Sequence, residues 1–232
     1  MLAICTTLGG TAHAATAATI HPSFLPDRLG ASTAFTLMMG FANRQGEVPA
    51  PVNRIVLHLP AGLGIDLRGV GSCSKARLER RGASGCASRL QIGRGHAVLA
   101  VHAGSQTIPE AAILLAFRGP TQDGKPTLEI LGQGETPLYQ RAVIVGVLRG
   151  DRPPYGAKID LSIPPIPTLS GEPNASISEL SLTVGAGGNP RAHVAGAIVV
   201  PHSCPIGGFP FAADFAFEDG STASAAAKAR CP

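Results

Sequence analysis

Apolar residues along this chain recur at every second position far more often than at the spacing of a helix. Residues 53–59 set Ile55, Leu57 and Leu59 on one face and Arg54, Val56 and His58 on the other. That is the alternation of a half-buried strand. Residues 157–163 repeat it with Ile159, Leu161 and Ile163. In 177–184 the inward set is Leu180, Leu182 and Val184, with Ile177, Glu179, Ser181 and Thr183 turned away. The cleanest case is 209–217, where Phe209, Phe211, Ala213, Phe215 and Phe217 share a face. Segments 34–41 and 111–117 are apolar on both faces, and 111–117 predicts a strand covered from both sides. Further strands are predicted at 96–102, 127–132, 142–149, 193–200 and 222–230. Asp123-Gly124 and Asp219-Gly220 supply hairpin turns. Residues 15–30, polar and Pro-containing, read as a lead-in.

One helix is predicted, over 73–81, where Cys-Ser-Lys-Ala-Arg-Leu-Glu-Arg-Arg is followed by Gly82 in the left-handed cap position. It is too short to stand alone. The elements together predict an all-β chain, an antiparallel β-sandwich (Ig-like or related) with one short helix. Pro164-Pro165-Ile166-Pro167 is the one plausible boundary. Strand counts on its two sides are lopsided, so the reading is one domain over 15–232.

Composition narrows the picture. Gly 29 and Pro 20 in 232 residues fit many turns and few helices. The net charge of +4 is carried by scattered residues, with Arg80-Arg81 the one adjacent basic pair, so no nucleic-acid partner is expected. No apolar run reaches the roughly 18 residues that a transmembrane helix needs. Residues 1–14 read as a signal-peptide remnant, because Ala12-His13-Ala14 has the small-residue form of a cleavage site. Leu2-Ala3-Ile4-Cys5 approaches a lipidation motif, but bulky Ile4 argues against it.

Without Cys5, four cysteines remain: Cys73, Cys86, Cys204 and Cys231. They allow three pairings. The local one, Cys73 with Cys86 and Cys204 with Cys231, is the expectation. Closing a loop of about 15 residues contributes roughly 3 kcal/mol in the chain-entropy model. Disulfides imply export, hence a secreted or extracytoplasmic cell-surface location. Zinc would want close Cys/His pairs, and His202-Ser203-Cys204 is poorly spaced for that.

One stretch carries a resemblance. Leu59-Pro60-Ala61-Gly62-Leu63, then Cys73-Ser74-Lys75-Ala76-Arg77-Leu78, then Gly85-Cys86 and Ile92-Gly93 resemble a recurring pattern in exported β-rich proteins of high-GC actinobacteria. Ala87 stands where that pattern usually has Pro. The closing Phe209–Pro232 segment, with Asp219-Gly220 and a final Cys-Pro, fits it too. The resemblance implies an exported β-rich protein and brings no catalytic residues with it.

Candidate chemistry is thin. His58, His96 and His102 fall on predicted strands, with His96 and His102 about 20 Å apart, too far to share a metal. Glu129, Glu135 and Asp160 could include a glycosidase-like carboxylate pair, but sequence does not bring them together. Tyr139 and Tyr155 are too few for a sugar-stacking platform. Neither Ser72 nor Ser170 sits in a nucleophile elbow. Gly187-Gly188-Asn189-Pro190 and Asn174-Ala175-Ser176 read as turns. No catalytic, cofactor or metal residue is therefore assigned. The expectation is a non-catalytic extracytoplasmic structural or binding protein, whose strand edges could take a cell-envelope or protein partner. Two alternatives stay open. One is a secreted hydrolase whose His58, Glu129 or Asp160 meet only in three dimensions. The other is a carrier of an apolar ligand between the sheets, which 111–117 and Met38-Met39 permit.

Overall fold

A computed structural model describes residues 16–43, 47–134, 139–185 and 197–232. Thirteen strands follow in chain order. The first group is β1 (Thr16–Leu25), β2 (Ser32–Asn43), β3 (Val52–Pro60), β4 (Gly64–Asp66), β5 (Gln91–Ala103), β6 (Gln106–Arg118) and β7 (Thr127–Gly134). The second is β8 (Arg141–Gly150), β9 (Tyr155–Ser162), β10 (Ser176–Val184), β11 (Ala197–Val199), β12 (Phe209–Phe217) and β13 (Thr222–Ala229). One helix, α1 (Lys75–Arg81), lies between β4 and β5.

The expected antiparallel all-β chain with one short helix is what forms. The layering differs from two separate sheets. The ladder runs without a break as β13-β12-β3-β9-β8-β7-β6-β5-β10-β2, with β1 also paired to β2. The sheet curls until β1 lies beside β13. The small ribbon of β4 and β11 extends from β2.

Inward residues from all around the sheet form one apolar core. Near the seam it is aromatic. Phe35 of β2 stacks on Phe211 of β12 at 5.2 Å, and Phe41 meets Phe215 edge-on at 5.1 Å. Phe24 of β1 reaches Phe209 and Phe211 at 5.8 and 6.0 Å. β13 makes room for these rings, since its inward positions are Ala223, Ala225, Ala227 and Ala229. Such edge and offset contacts add to the burial of large rings.

A second, smaller core lies on the outer face. There α1, through fully buried Leu78, covers Phe117, Leu131 and Val143. This explains the doubly apolar run 111–117. Ala112, Leu114 and Ala116 face the main core, Leu115 and Phe117 face the helix side, and Ile113 is exposed. The expected local disulfides form, Cys73–Cys86 and Cys204–Cys231, each with Cα atoms 6.0 Å apart. Gly82 ends α1 at φ +60°, a left-handed conformation that favours glycine. Asp123 and Gly124, both at positive φ, make the β6–β7 turn.

Two expectations need correction. Residues 15–30 contain β1, which inserts Ile20 and Phe24 into the core and is spaced by polar residues. A bulge between Ile177 and Glu179 shifts the phase of β10, so Ile177 joins Leu180 inside. Of the strand expected at 193–200, Ala197–Val199 forms among the described residues, and 193–196 lie outside them. Segment 1–14 and Glu135 lie outside the described residues, as does turn 187–190.

Candidate functional site

The inward faces of β2, β3, β7, β8, β9 and β10 do not close completely on one another. They enclose a cavity of ≈ 110 Å³ whose walls are almost entirely aliphatic. The register builds them. On one side Phe35, Leu37 and Met39 lie opposite Val184, Leu182 and Leu180. On the other, Ile55 and Leu57 lie opposite Leu161 and Ile159. Gly146 sits between them on β8, where an added Cβ would meet Leu161 at 2.8 Å and Ile159 at 3.0 Å. Thr127 stands at one end of the lining, and its hydroxyl donates its proton to the Pro120 carbonyl at 2.6 Å. Toward β4 the lining loosens. Leu63, Ile65, Leu67, Leu128, Leu148 and Leu182 are only partly buried, which marks where the cavity meets solvent.

A void of this size is unusual in a close-packed protein interior. At about 24 cal/mol per Å³, leaving it empty costs on the order of 3 kcal/mol. Walls this apolar do not hold water, because a buried water needs two to four polar partners. The space suits an apolar guest.

Polar chemistry lies on the outer wall. His58 of β3 is held between two carboxylates, with Nδ1 2.5 Å from Asp151 Oδ2 and Nε2 3.1 Å from Asp214 Oδ2. Both ring nitrogens are engaged by these carboxylates. Tyr155 lies against the ring at 5.2 Å. Ser224 Oγ donates to the other oxygen of Asp214 at 2.7 Å. The Ser224 bond and the bond from His58 hold the Asp214 carboxyl below its usual range, against some burial. For Asp151, burial pushes upward, but the bond from His58 and one from the Arg152 amide outweigh it. The Ser224 hydroxyl thus faces the Asp214 carboxylate, a proton acceptor weakened by its lowered pKa, and not a ring nitrogen of His58.

The other candidates do not converge. Asp160 pairs two-pronged with Arg54 at 2.8 Å, which lowers its pKa. Glu129 lies on the opposite side of the sheet wall from the cavity, near the smaller core under α1. It is 4% exposed, and no hydrogen bond reaches its Oε2. Burial pushes its pKa up to about 7, with the Lys75 charge opposing and the Glu79 charge assisting. His96 and His102 remain on β5, away from these groups. Among the described residues no cluster of three or more His, Cys, Asp or Glu side chains could hold a metal.

Sequence reasoning missed the partners of His58, which are 93 and 156 residues away. No local pattern could have revealed them. It did place Leu180, Leu182, Val184, Ile159 and Leu161 inward, and these line the cavity. No protein-family model matches the chain, and no curated protein or solved structure matches it. Two disulfides indicate an oxidising, non-cytoplasmic setting. Among the described residues no helix is long and apolar enough to cross a membrane.

Proposed function

We propose that this protein is an exported, non-catalytic binding protein that holds an apolar guest inside its curled sheet. The observation that carries this reading is the aliphatic cavity of ≈ 110 Å³ with partly buried side chains at one end. Two further features support it. The strands run apolar-in and polar-out, with Arg54, His58, Lys158 and Asp160 on the outer wall. That is the reverse of a membrane-spanning barrel with a polar lumen. The disulfides and the small-residue segment ending in Ala14 support export to the cell surface or beyond.

The test is a fluorescence titration with N-phenyl-1-naphthylamine, an uncharged apolar probe. Saturable binding near one probe per chain is expected, together with a rise in Tm as probe concentration exceeds Kd. Leu128→Trp fills the loose end of the cavity and should weaken probe binding about tenfold or more, an effect of roughly 1.4 kcal/mol or above. Absence of saturable binding by the folded, disulfide-bonded protein contradicts the proposal.

A further inference from the structure

Three large apolar side chains stand in water at one end of the molecule. Leu25 is 78% exposed, Leu29 43% and Ile206 entirely. The register places them at the end where β1 and β13 finish and β2 and β12 begin. Leu25 and Leu29 lie where β1 turns into β2, and Ile206 lies in the connection that precedes β12. The two connections touch. The Gly30 amide donates to the Val200 and Pro201 carbonyls at 3.1 and 3.4 Å, and a Cβ on Gly30 would meet the His202 ring at 2.6 Å. Among the described residues the other strongly exposed large apolar side chains lie elsewhere. Met38 and Ile113 are on the outer wall, and Tyr139 and Leu169 are at the opposite end.

Cations flank the three. Arg28 lies between Leu25 and Leu29 in the chain. Lys228 and Arg230, both exposed, stand where β13 finishes. A Cβ on Gly207 would meet Lys228 Nζ at 2.9 Å, and Cys204–Cys231 ties the Ile206 connection to the segment after β13. Segments 25–31, 200–208 and 228–232 together hold three Lys or Arg side chains and one acidic side chain, Asp27. The loose end of the cavity is next door, since a Cβ on Gly62, beside Leu63, would lie 3.4 Å from Pro201 Cβ.

A stable protein partner covers roughly 800 Å² a side around a packed centre, and three side chains on two loop tips do not make one. The boundary between headgroups and acyl chains takes up separate apolar tips, and anionic lipids attract the cations beside them. We propose that this end of the molecule docks on an anionic lipid surface. Leu25, Leu29 and Ile206 dip into the headgroup boundary, and Arg28, Lys228 and Arg230 lie against lipid phosphates. The docking does not depend on the cavity being filled. It brings the loose end of the cavity to the membrane, where apolar molecules concentrate.

The experiment floats the full, disulfide-bonded chain with vesicles of an equimolar phosphatidylglycerol and phosphatidylcholine mixture, and with vesicles of phosphatidylcholine alone. At low salt the protein should partition to the anionic vesicles about tenfold or more better, and high salt should weaken this. Leu25→Ser, Leu29→Ser and Ile206→Ser combined should cut partitioning about tenfold or more, because each withdraws an apolar group from the bilayer. Arg28→Glu, Lys228→Glu and Arg230→Glu combined should abolish flotation with anionic vesicles. These are surface positions, so Tm should change little. Met38→Ser with Ile113→Ser, equally exposed but on the outer wall, should leave partitioning as it is. Absence of flotation with anionic vesicles at low salt overturns the inference. Undiminished flotation of both triple variants overturns it, and so does an equal loss in the Met38 and Ile113 variant. Self-association that the triple serine variant abolishes, without flotation, gives the surface to a second copy of this chain and overturns lipid docking.

Discussion

Glu129 shows how one side chain can set a pH response. Its carboxyl is buried between Phe117 and Val145 on neighbouring strands, and Oε2 has no hydrogen bond. The charges on α1 nearest to it, Lys75 and Glu79, are themselves paired at 2.7 Å. In the unfolded chain the group sheds its proton near its ordinary value of 4.5, and in the folded chain only near 7. Between those values the folded state binds more protons, so stability falls as pH rises from about 5 to 7 and levels off above. Glu129→Gln should flatten that slope and leave the variant more stable at pH 8 by on the order of 2 kcal/mol. Urea unfolding at half-unit pH steps reads this directly, and equal slopes for the two proteins would refute it. The lowered pKa values of Asp151, Asp160 and Asp214 act in another window. Their contribution is present above about 3.8 and is lost as pH falls through their folded values.

Among the elements, α1 is the one whose existence depends on a covalent link. Seven residues with a single buried side chain, Leu78, do not hold a helix in water. The Cys73–Cys86 bridge keeps it over Phe117, Leu131 and Val143. Cys73→Ser with Cys86→Ser should lower stability by about 3 kcal/mol and raise hydrogen exchange over 73–86. Probe binding should persist, because the cavity lies on the other face of the same strands. Loss of binding would show that the helix supports the cavity wall. This scale is also where sequence speaks most clearly. The inward sets of β3, β9 and β12 follow from their alternation alone. β1 escaped because Pro22 and its polar spacers hide Ile20 and Phe24. The phase change in β10 escaped because a bulge is a property of pairing, not of one strand. The disulfide pairing was legible from separations of 13 and 27 residues. The row of small residues Ala97, Ala112, Gly134, Gly132 and Ala142 was not, since they become neighbours only through registry across four strands.

For the whole molecule, the decisive feature is a sheet that curls without knitting shut. Among the described residues β1 and β13 lie side by side with no ladder between them. The seam is held by aromatic packing beneath, and on one side of it Cys204–Cys231 binds the start of the final hairpin to its end. Replacing both of these cysteines with serine should lower amide protection across Phe209–Phe217 and Thr222–Ala229. The central strands Gln106–Arg118 and Thr127–Gly134 should be unaffected. A uniform loss over all strands would mean that the seam and the sheet open as one unit. The same bridge also decides how the chain can be dismantled. A pull applied beyond Cys231 does not peel β13 from β12, because the load crosses the sulfurs to Cys204 and arrives at the other foot of the hairpin. A machine that unravels this protein from that side must first drag a closed covalent ring out of the wall. From the other side, among the described residues, it meets β1, which hydrogen bonds to β2 and side-chain packing restrain.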